Sequence, residues 1–296
     1  MEVVVRQISG LGNQLFQYAA GRYLADRLSA SLRIALEPAG NFTVGNVHRP
    51  VMLQKFAISA PIATVSYLDR LILSNSPHFR HLGAVYRAVR AARVIREPPG
   101  RFLYRPDFNL SPETRRVYLV GYWQSHSMVA AAESALRCEF ALRDPPGAPS
   151  QQVAAQIRQS RTPVSVHIRR GDYVSIFGSQ GLLSPAYYER ALALLAQRLG
   201  EFECFVFSDD AAFARQWMAN RAHMHLVDHN GPDSAHEDLW LMSQCHHHVI
   251  ANSSFSWWGA WLNARPDKLI IAPRTWLGHA TRETDIAGPD WILVDI

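Results

Sequence analysis

The apolar positions of the chain follow two rhythms. Short continuous runs, Val3 to Val5, Val164 to Ile168, Cys204 to Phe207 and Leu269 to Ala272, have the length and residue types of strands buried on both faces. Longer stretches repeat at helical spacing. Phe16, Ala20, Leu24 and Leu28 form one stripe with Leu15, Ala19 and Tyr23 beside it, and Leu192, Leu195 and Leu199 form another behind a Ser184-Pro185 start. Further strands are predicted at Ser31 to Leu36, Val117 to Gly121 and His248 to Ala251. Further helices are predicted from about Asp210, over Asp238 to Gln244 behind a Ser234–Glu237 capping box, and over Ser254 to Asn263. Strands alternating with helices predict parallel, doubly wound α/β sheets.

Between about residues 40 and 120 the pattern is mixed. Helical stretches are expected at Tyr67 to Leu73 and Val85 to Val94, with a break at Glu97-Pro98-Pro99-Gly100. The clearest interruption is Asp144-Pro145-Pro146-Gly147-Ala148-Pro149-Ser150, read as a linker because Pro and Gly do not continue a helix or a central strand. It divides the chain into a domain over 1–145 and another over 151–296.

Composition fits this division: 296 residues, 48% of them hydrophobic, supply two cores. No apolar run is long enough to span a membrane, and the start of the chain is a strand rather than a signal peptide, so a cytoplasmic protein is expected. Three widely spaced cysteines predict neither a disulfide framework nor a cysteine-based zinc site. The net charge of +5 suits an anionic ligand or lipid surface. Its scatter, without a nucleic-acid motif, argues against nucleic-acid binding.

Three segments carry candidate chemistry. In Val166-His167-Ile168-Arg169-Arg170-Gly171-Asp172-Tyr173, alternation puts His167 and Arg169 on one face, with Arg169 at the carboxyl end of the strand, where open α/β sheets bind ligands. Its planar fork of donors suits phosphate oxygens. In Asn252-Ser253-Ser254 at the start of a helix, hydroxyls, backbone N–H groups and the helix dipole suit a phosphate too. The tryptophans behind it, Trp257, Trp258 and Trp261, read as core. Gly10-Leu11-Gly12-Asn13-Gln14 is a glycine turn after the first strand, and Leu15 stands where a dinucleotide fingerprint has its third glycine, which disfavours a nicotinamide enzyme. Ser208-Asp209-Asp210 lacks the spaced form of a carboxylate metal motif and reads as a helix cap. His246-His247-His248 lacks supporting ligands, so no metal site is expected.

Taken together, these segments resemble the bacterial α-1,2-fucosyltransferases of glycosyltransferase family 11. The likeness rests on Gly10 to Ala19, His167 to Tyr173, Phe207 to Asp210, Asp238 to Gln244 and Asn252 to Gly259, in that order. It implies a GT-B-like fold with two Rossmann-like domains facing a cleft, an acceptor side in the N-terminal domain and GDP-fucose on the C-terminal one. It also implies inverting transfer of L-fucose to the 2-hydroxyl of a galactose in a glycan, with no metal and no other cofactor. Arg169 would clamp the β-phosphate with Ser253 and Ser254 on the other side, and His167, Asn252, Gly10, Gly12 and Asn13 would line the donor site. The resemblance places guanine recognition on Asp238. Asp172 is the candidate base for the acceptor hydroxyl. The acceptor is open between an O-antigen repeat on a lipid carrier and a free oligosaccharide; arginine-rich residues 80–105 would give peripheral contact with an anionic membrane. The alternatives are a transferase of the same fold with another donor, and a non-catalytic nucleotide- or carbohydrate-binding protein.

Overall fold

The structure, a computed structural model, describes residues 1–36, 41–44, 47–66, 69–70, 73, 84–85, 87–88, 91–97, 108–171, 173–174, 182–276, 279–280 and 284–296. Most of the arginine-rich 80–105 stretch lies outside these. The chain divides into two compact units, Met1–Phe42 with His48–Ala141, and Thr43–Val47 with Leu142–Ile296.

The N-terminal unit is built on a five-stranded sheet of order β5-β2-β1-β7-β6, every pairing parallel. Its strands are β1 (Glu2–Arg6), β2 (Ser31–Leu36), β5 (Ile62–Thr64), β6 (Ala92–Arg96) and β7 (Arg116–Val120); β3 (Asn41–Val44) and β4 (Val47–Pro50) form a separate pair. Helix α1 (Leu11–Arg27) follows β1. The chain runs from β1 outward through β2 to β5, then crosses to β6 and returns to β7 beside β1. The first strand therefore lies in the middle of the sheet, with the last one, β7, directly beside it.

Helix α1 is buried on more faces than its apolar stripe predicts, because two glutamines are buried with it. Gln17 accepts from the Ile8 N–H (3.0 Å) and donates to the Ile8 carbonyl (3.2 Å). Gln14 donates to the carbonyls of Ser9 and Pro50 (2.9 Å each) and accepts from the Met52 N–H (3.0 Å). The Gln17 amide satisfies both backbone groups of Ile8 just past the end of β1, and Gln14 ties Ser9 to the Pro50–Met52 segment. At Gly21 helix and sheet meet so closely that a Cβ would lie 2.3 Å from Val5 Cγ2 and 2.8 Å from Leu32 Cδ1. Gly21→Ala is therefore expected to lower stability by roughly 1–2 kcal/mol, overpacking outweighing the gain in helix propensity. Urea denaturation measures this; an unchanged midpoint would show that Val5 and Leu32 give way freely.

After β7 come α2 (His126–Ala131) and α3 (Glu133–Glu139). The helix expected over Val85 to Val94 is only partly found. Val85, Arg87 and Ala88 are helical, but Ala91 turns with φ 46° and Ala92 to Val94 enter β6, whose register runs from Ala92↔Arg116 to Arg96↔Val120. Pairing with β7 overrides the local helical spacing.

The C-terminal unit has a six-stranded parallel sheet of order β10-β9-β8-β11-β12-β15. It contains α4 (Ala148–Gln159), β8 (Pro163–Ile168), α5 (Pro185–Leu199), β9 (Glu203–Ser208), α6 (Ala211–Met218), β10 (Met224–Val227), α7 (Ala235–Gln244), β11 (His247–Val249), α8 (Ser254–Leu262), β12 (Ile270–Pro273) and β15 (Ile292–Val294). A small pair, β13 (Thr275–Trp276) and β14 (His279–Ala280), precedes β15. The chain leaves β8 toward β9 and β10, then crosses to β11, β12 and β15, so this sheet switches between β8 and β11.

Two local expectations are corrected. Part of the Asp144–Ser150 linker is helix: Ala148, Pro149 and Ser150 open α4, since a proline in the first turn gives up an N–H that has no partner there anyway. Ser234 holds the N-cap position of α7 but makes no capping-box bond. It ends a 3₁₀ turn over Pro232–Ser234, and Glu237 instead accepts from the Gly147 N–H (3.1 Å). Among the described residues no helix is long and apolar enough to cross a membrane, and all three cysteines are free.

Candidate active site

The carboxyl edge of the C-terminal sheet gathers most of the residues singled out above. All six residues of β8 are buried, as a central parallel strand requires, and the chain emerges at Arg169 beside the end of β9. The Arg169 guanidinium pairs through Nη1 with Asp209 Oδ2 (2.6 Å), and its Cζ lies 5.1 Å from the centroid of the Tyr173 ring. The other Asp209 oxygen accepts from the backbone N–H groups of Arg170 (2.8 Å) and Gly171 (3.1 Å). One carboxylate thus fixes both the turn and the guanidinium. A Cβ at Gly171 would lie 2.3 Å from Asp209 Oδ2, so the residue type follows from this approach.

Arg170 is held differently. Its Nε binds Asp210 Oδ2 (3.1 Å) and its guanidinium lies 3.9 Å over the Phe213 ring. Asp210 also caps α6, accepting from the Phe213 N–H (3.0 Å). The adjacent arginines therefore have separate partners and separate surroundings.

His167 is buried against Phe255, ring centroids 5.6 Å apart, and its Nδ1 has no hydrogen-bond partner among the described residues. Burial first, and the charge of Arg169 second, push its pKa down to about 3, so the imidazole is neutral at physiological pH. Across the switch point, Asn252 and Ser253 are buried after β11, and Ser253 Oγ accepts from the Phe255 N–H (3.3 Å) at the start of α8. The Tyr173 hydroxyl donates to the Asn252 carbonyl (3.1 Å), tying the two loops of the switch point together. Ser254 is the first residue of α8 and is half-buried. Trp257, Trp258 and Trp261 are core residues, at 0%, 0% and 6% exposure, and support the helix from behind.

Asp238 lies in the first turn of α7, which follows β10 and so begins at the same edge of the sheet. It accepts from Asn230 Nδ2 (2.8 Å), which is 3.3 Å from Ser150 Oγ; that hydroxyl is 2.9 Å from His229 Nε2. Burial drives its pKa up to about 7. The Asn230 bond opposes the rise and the nearby Glu237 adds to it.

Gly10, Gly12 and Asn13 belong to the N-terminal unit, at the carboxyl edge of β1. Gly10 caps α1, and Asn13 donates to Ser9 Oγ (3.0 Å) and accepts from Gln124 Nε2 (2.8 Å). Asp172 lies outside the described residues. Sequence reasoning assigns no site role to Asn230, Ser150 or Gln124; it reads Ser208-Asp209-Asp210 as a helix cap and takes Tyr173 only as the end of the motif that begins at His167. Asp209 belongs to the Phe207 to Asp210 segment of the family likeness, but its pairing with Arg169 follows from its place at the end of the strand beside β8.

The histidine run has structural partners: Ser165 Oγ and Asn263 Nδ2 meet the two ring nitrogens of His248 (2.7 and 2.8 Å), and His247 Nδ1 accepts from the Leu269 N–H (3.0 Å). Among the described residues no cluster of His, Cys, Asp and Glu is arranged to hold a metal ion.

Comparison with known proteins gives the family. The family model described as glycosyl transferase family 11 matches residues 105–295. The chain belongs to glycosyltransferase family 11. It is 31% identical to an α-1,2-colitosyltransferase of Escherichia coli over 99% of both chains. It is 28% identical to the O-antigen biosynthesis glycosyltransferase WbnK of the same organism, covering 96% of this chain and 97% of that one. The crystal structure of fucosyltransferase NodZ from Bradyrhizobium aligns with a TM-score of 0.50 at 15% identity, covering 87% of this chain and 91% of that one. The family 11 chain is a glycosyltransferase with two Rossmann-like units of the GT-B class.

Proposed function

We propose that this enzyme transfers L-fucose from GDP-fucose to the 2-hydroxyl of a galactose residue, with inversion and without a metal ion. The observation that carries this reading is Arg169, braced by Asp209 at the switch point of the C-terminal sheet, with the buried Asn252–Ser253 start of α8 on the other side. In the reaction the bond from fucose C1 to the β-phosphate oxygen breaks as the bond from C1 to the acceptor oxygen forms on the opposite face. The departing GDP gains negative charge, and the hydroxyl proton passes to a base, for which Asp172 is the candidate. A fixed guanidinium and helix N-terminal N–H groups stabilise that growing charge because they need no reorganisation during the reaction. His167, neutral at physiological pH, adds a hydrogen-bonding group without adding charge. Asp238 accepts the N1–H and N2–H of guanine.

The 31% identity to an α-1,2-colitosyltransferase gives a second reading, the same linkage made from a colitosyl donor. Calorimetric titration in EDTA with GDP-fucose, the colitosyl donor, GDP-mannose and UDP-galactose, followed by transfer assays on β-galactosides, separates them. Selective binding of GDP-fucose and its transfer are expected. Preference for the colitosyl donor would install the second reading, and a requirement for a divalent cation would overturn the metal-free part.

A further inference from the structure

In the N-terminal sheet β1 and β7 lie side by side, and the segments leaving their carboxyl ends are linked. Gln124, after β7, donates to Asn13, after β1. The turn Gly121 to Ser125 is held from beneath by Glu97, whose carboxylate accepts from the backbone N–H groups of Tyr122 (2.5 Å) and Trp123 (3.2 Å). Glu97 comes so close that a Cβ at Gly121 would lie 2.4 Å from its Cβ. Trp123 has φ 56°, a left-handed conformation that a bulky residue adopts only when its surroundings impose it, and its side chain is buried. Burial raises the Glu97 pKa, yet the carboxyl remains where those two N–H groups converge. A bent backbone, a half-buried acid and a buried indole together leave one ring outside. Tyr122, at 41%, is the most exposed Phe, Tyr or Trp among the described residues.

An exposed ring at the carboxyl edge of this parallel sheet, two residues before the Gln124 that holds Asn13, matches the chemistry of a pyranose. The C–H face of the sugar lies on the ring, and its hydroxyls meet the amides. The bonds of Asn13 use one of its two N–H groups and one of its two oxygen lone pairs, so the second of each is available. We propose that the Gly121–Ser125 turn is the acceptor subsite, with the Tyr122 ring as the platform for the terminal galactose and Gln124 as a positioning residue for Asn13. This rests on the reading of the enzyme as a fucosyltransferase acting on galactosides.

The test compares Tyr122→Ala and Tyr122→Phe with the unaltered enzyme, using lactose and N-acetyllactosamine as acceptors. Hydrolysis of GDP-fucose in water serves as a readout independent of the acceptor. Tyr122→Ala is expected to raise the acceptor KM roughly 10-fold, with GDP-fucose hydrolysis and the donor KM unchanged, and Tyr122→Phe to keep the KM near its original value. An unchanged acceptor KM in Tyr122→Ala would overturn the platform while leaving the donor reading intact. Donor hydrolysis by the unaltered enzyme without transfer to either galactoside would overturn the galactose reading and the ligand assigned here with it.

Discussion

Arg169→Ala should lower turnover roughly 10³-fold while the protein keeps its fold. The loss is large because the charge on a leaving diphosphate develops during the reaction, so a guanidinium already aimed at it acts on the transition state more than on the bound donor. The fold survives because Asp209 keeps the backbone N–H groups of Arg170 and Gly171. Arg169→Lys retains the charge without the fork and should fall in between, as should Asp209→Asn, which loosens the guanidinium. Arg170→Ala is the informative neighbour. It removes the contacts with Asp210 and Phe213, so it should lower thermal stability more than turnover. Initial rates of fucose transfer, paired with thermal melts followed by circular dichroism, distinguish the two arginines. Near-normal turnover in Arg169→Ala would refute its role at the β-phosphate.

That division of labour was not legible in the sequence. Arg169 and Arg170 are adjacent and identical in type, and what separates them is a pair of aspartates at the end of β9. The Asp209 and Asp210 partners become visible only once β9 is known to lie beside β8. The strands themselves were legible, because central parallel strands are buried on both faces and appear as unbroken apolar runs; β8, β9 and β12 fall within a residue of expectation. The switch-point loop after β11 was legible for a related reason, since its polar run sits between a buried strand and a tryptophan-rich helix. Local rules failed where a distant partner competed. Glu237 had the spacing of a capping box, but the N–H of Gly147, 90 residues earlier, took its carboxylate. Likewise Tyr122 and Gln124 carry no periodic signal. Their place follows from sheet order, which brings β7 back to β1 after β5 and β6.

Asp238 should make donor affinity depend on pH, and the sign follows from its pKa. Burial raises that value to about 7 from 3.8, so in the free enzyme much of the carboxyl is protonated below neutrality. For folding, an acid whose pKa is raised favours the folded state fully below its unfolded pKa. That contribution is lost as pH rises toward and through 7. For binding, the direction reverses. Guanine offers two donors, N1–H and N2–H, and a carboxylate accepts both, whereas a protonated carboxyl spends one oxygen on its own proton. GDP-fucose should therefore bind about 10-fold more tightly for each pH unit gained below 7, then level off, with a proton released on binding in the lower range. The sugar nucleotide is the proper probe, because the free terminal phosphate of GDP titrates near pH ~6 itself. Asp238→Asn should weaken binding roughly 10²-fold, flatten the pH profile and narrow the preference for guanine over uracil nucleotides. Asn supplies one acceptor and sets an NH₂ group against the donors of the base. Calorimetry in buffers of different ionisation enthalpy measures affinity and proton release together. A flat profile in the unaltered enzyme, or undiminished guanine selectivity in Asp238→Asn, would move base recognition to another residue and leave Asp238 as the partner of Asn230 alone.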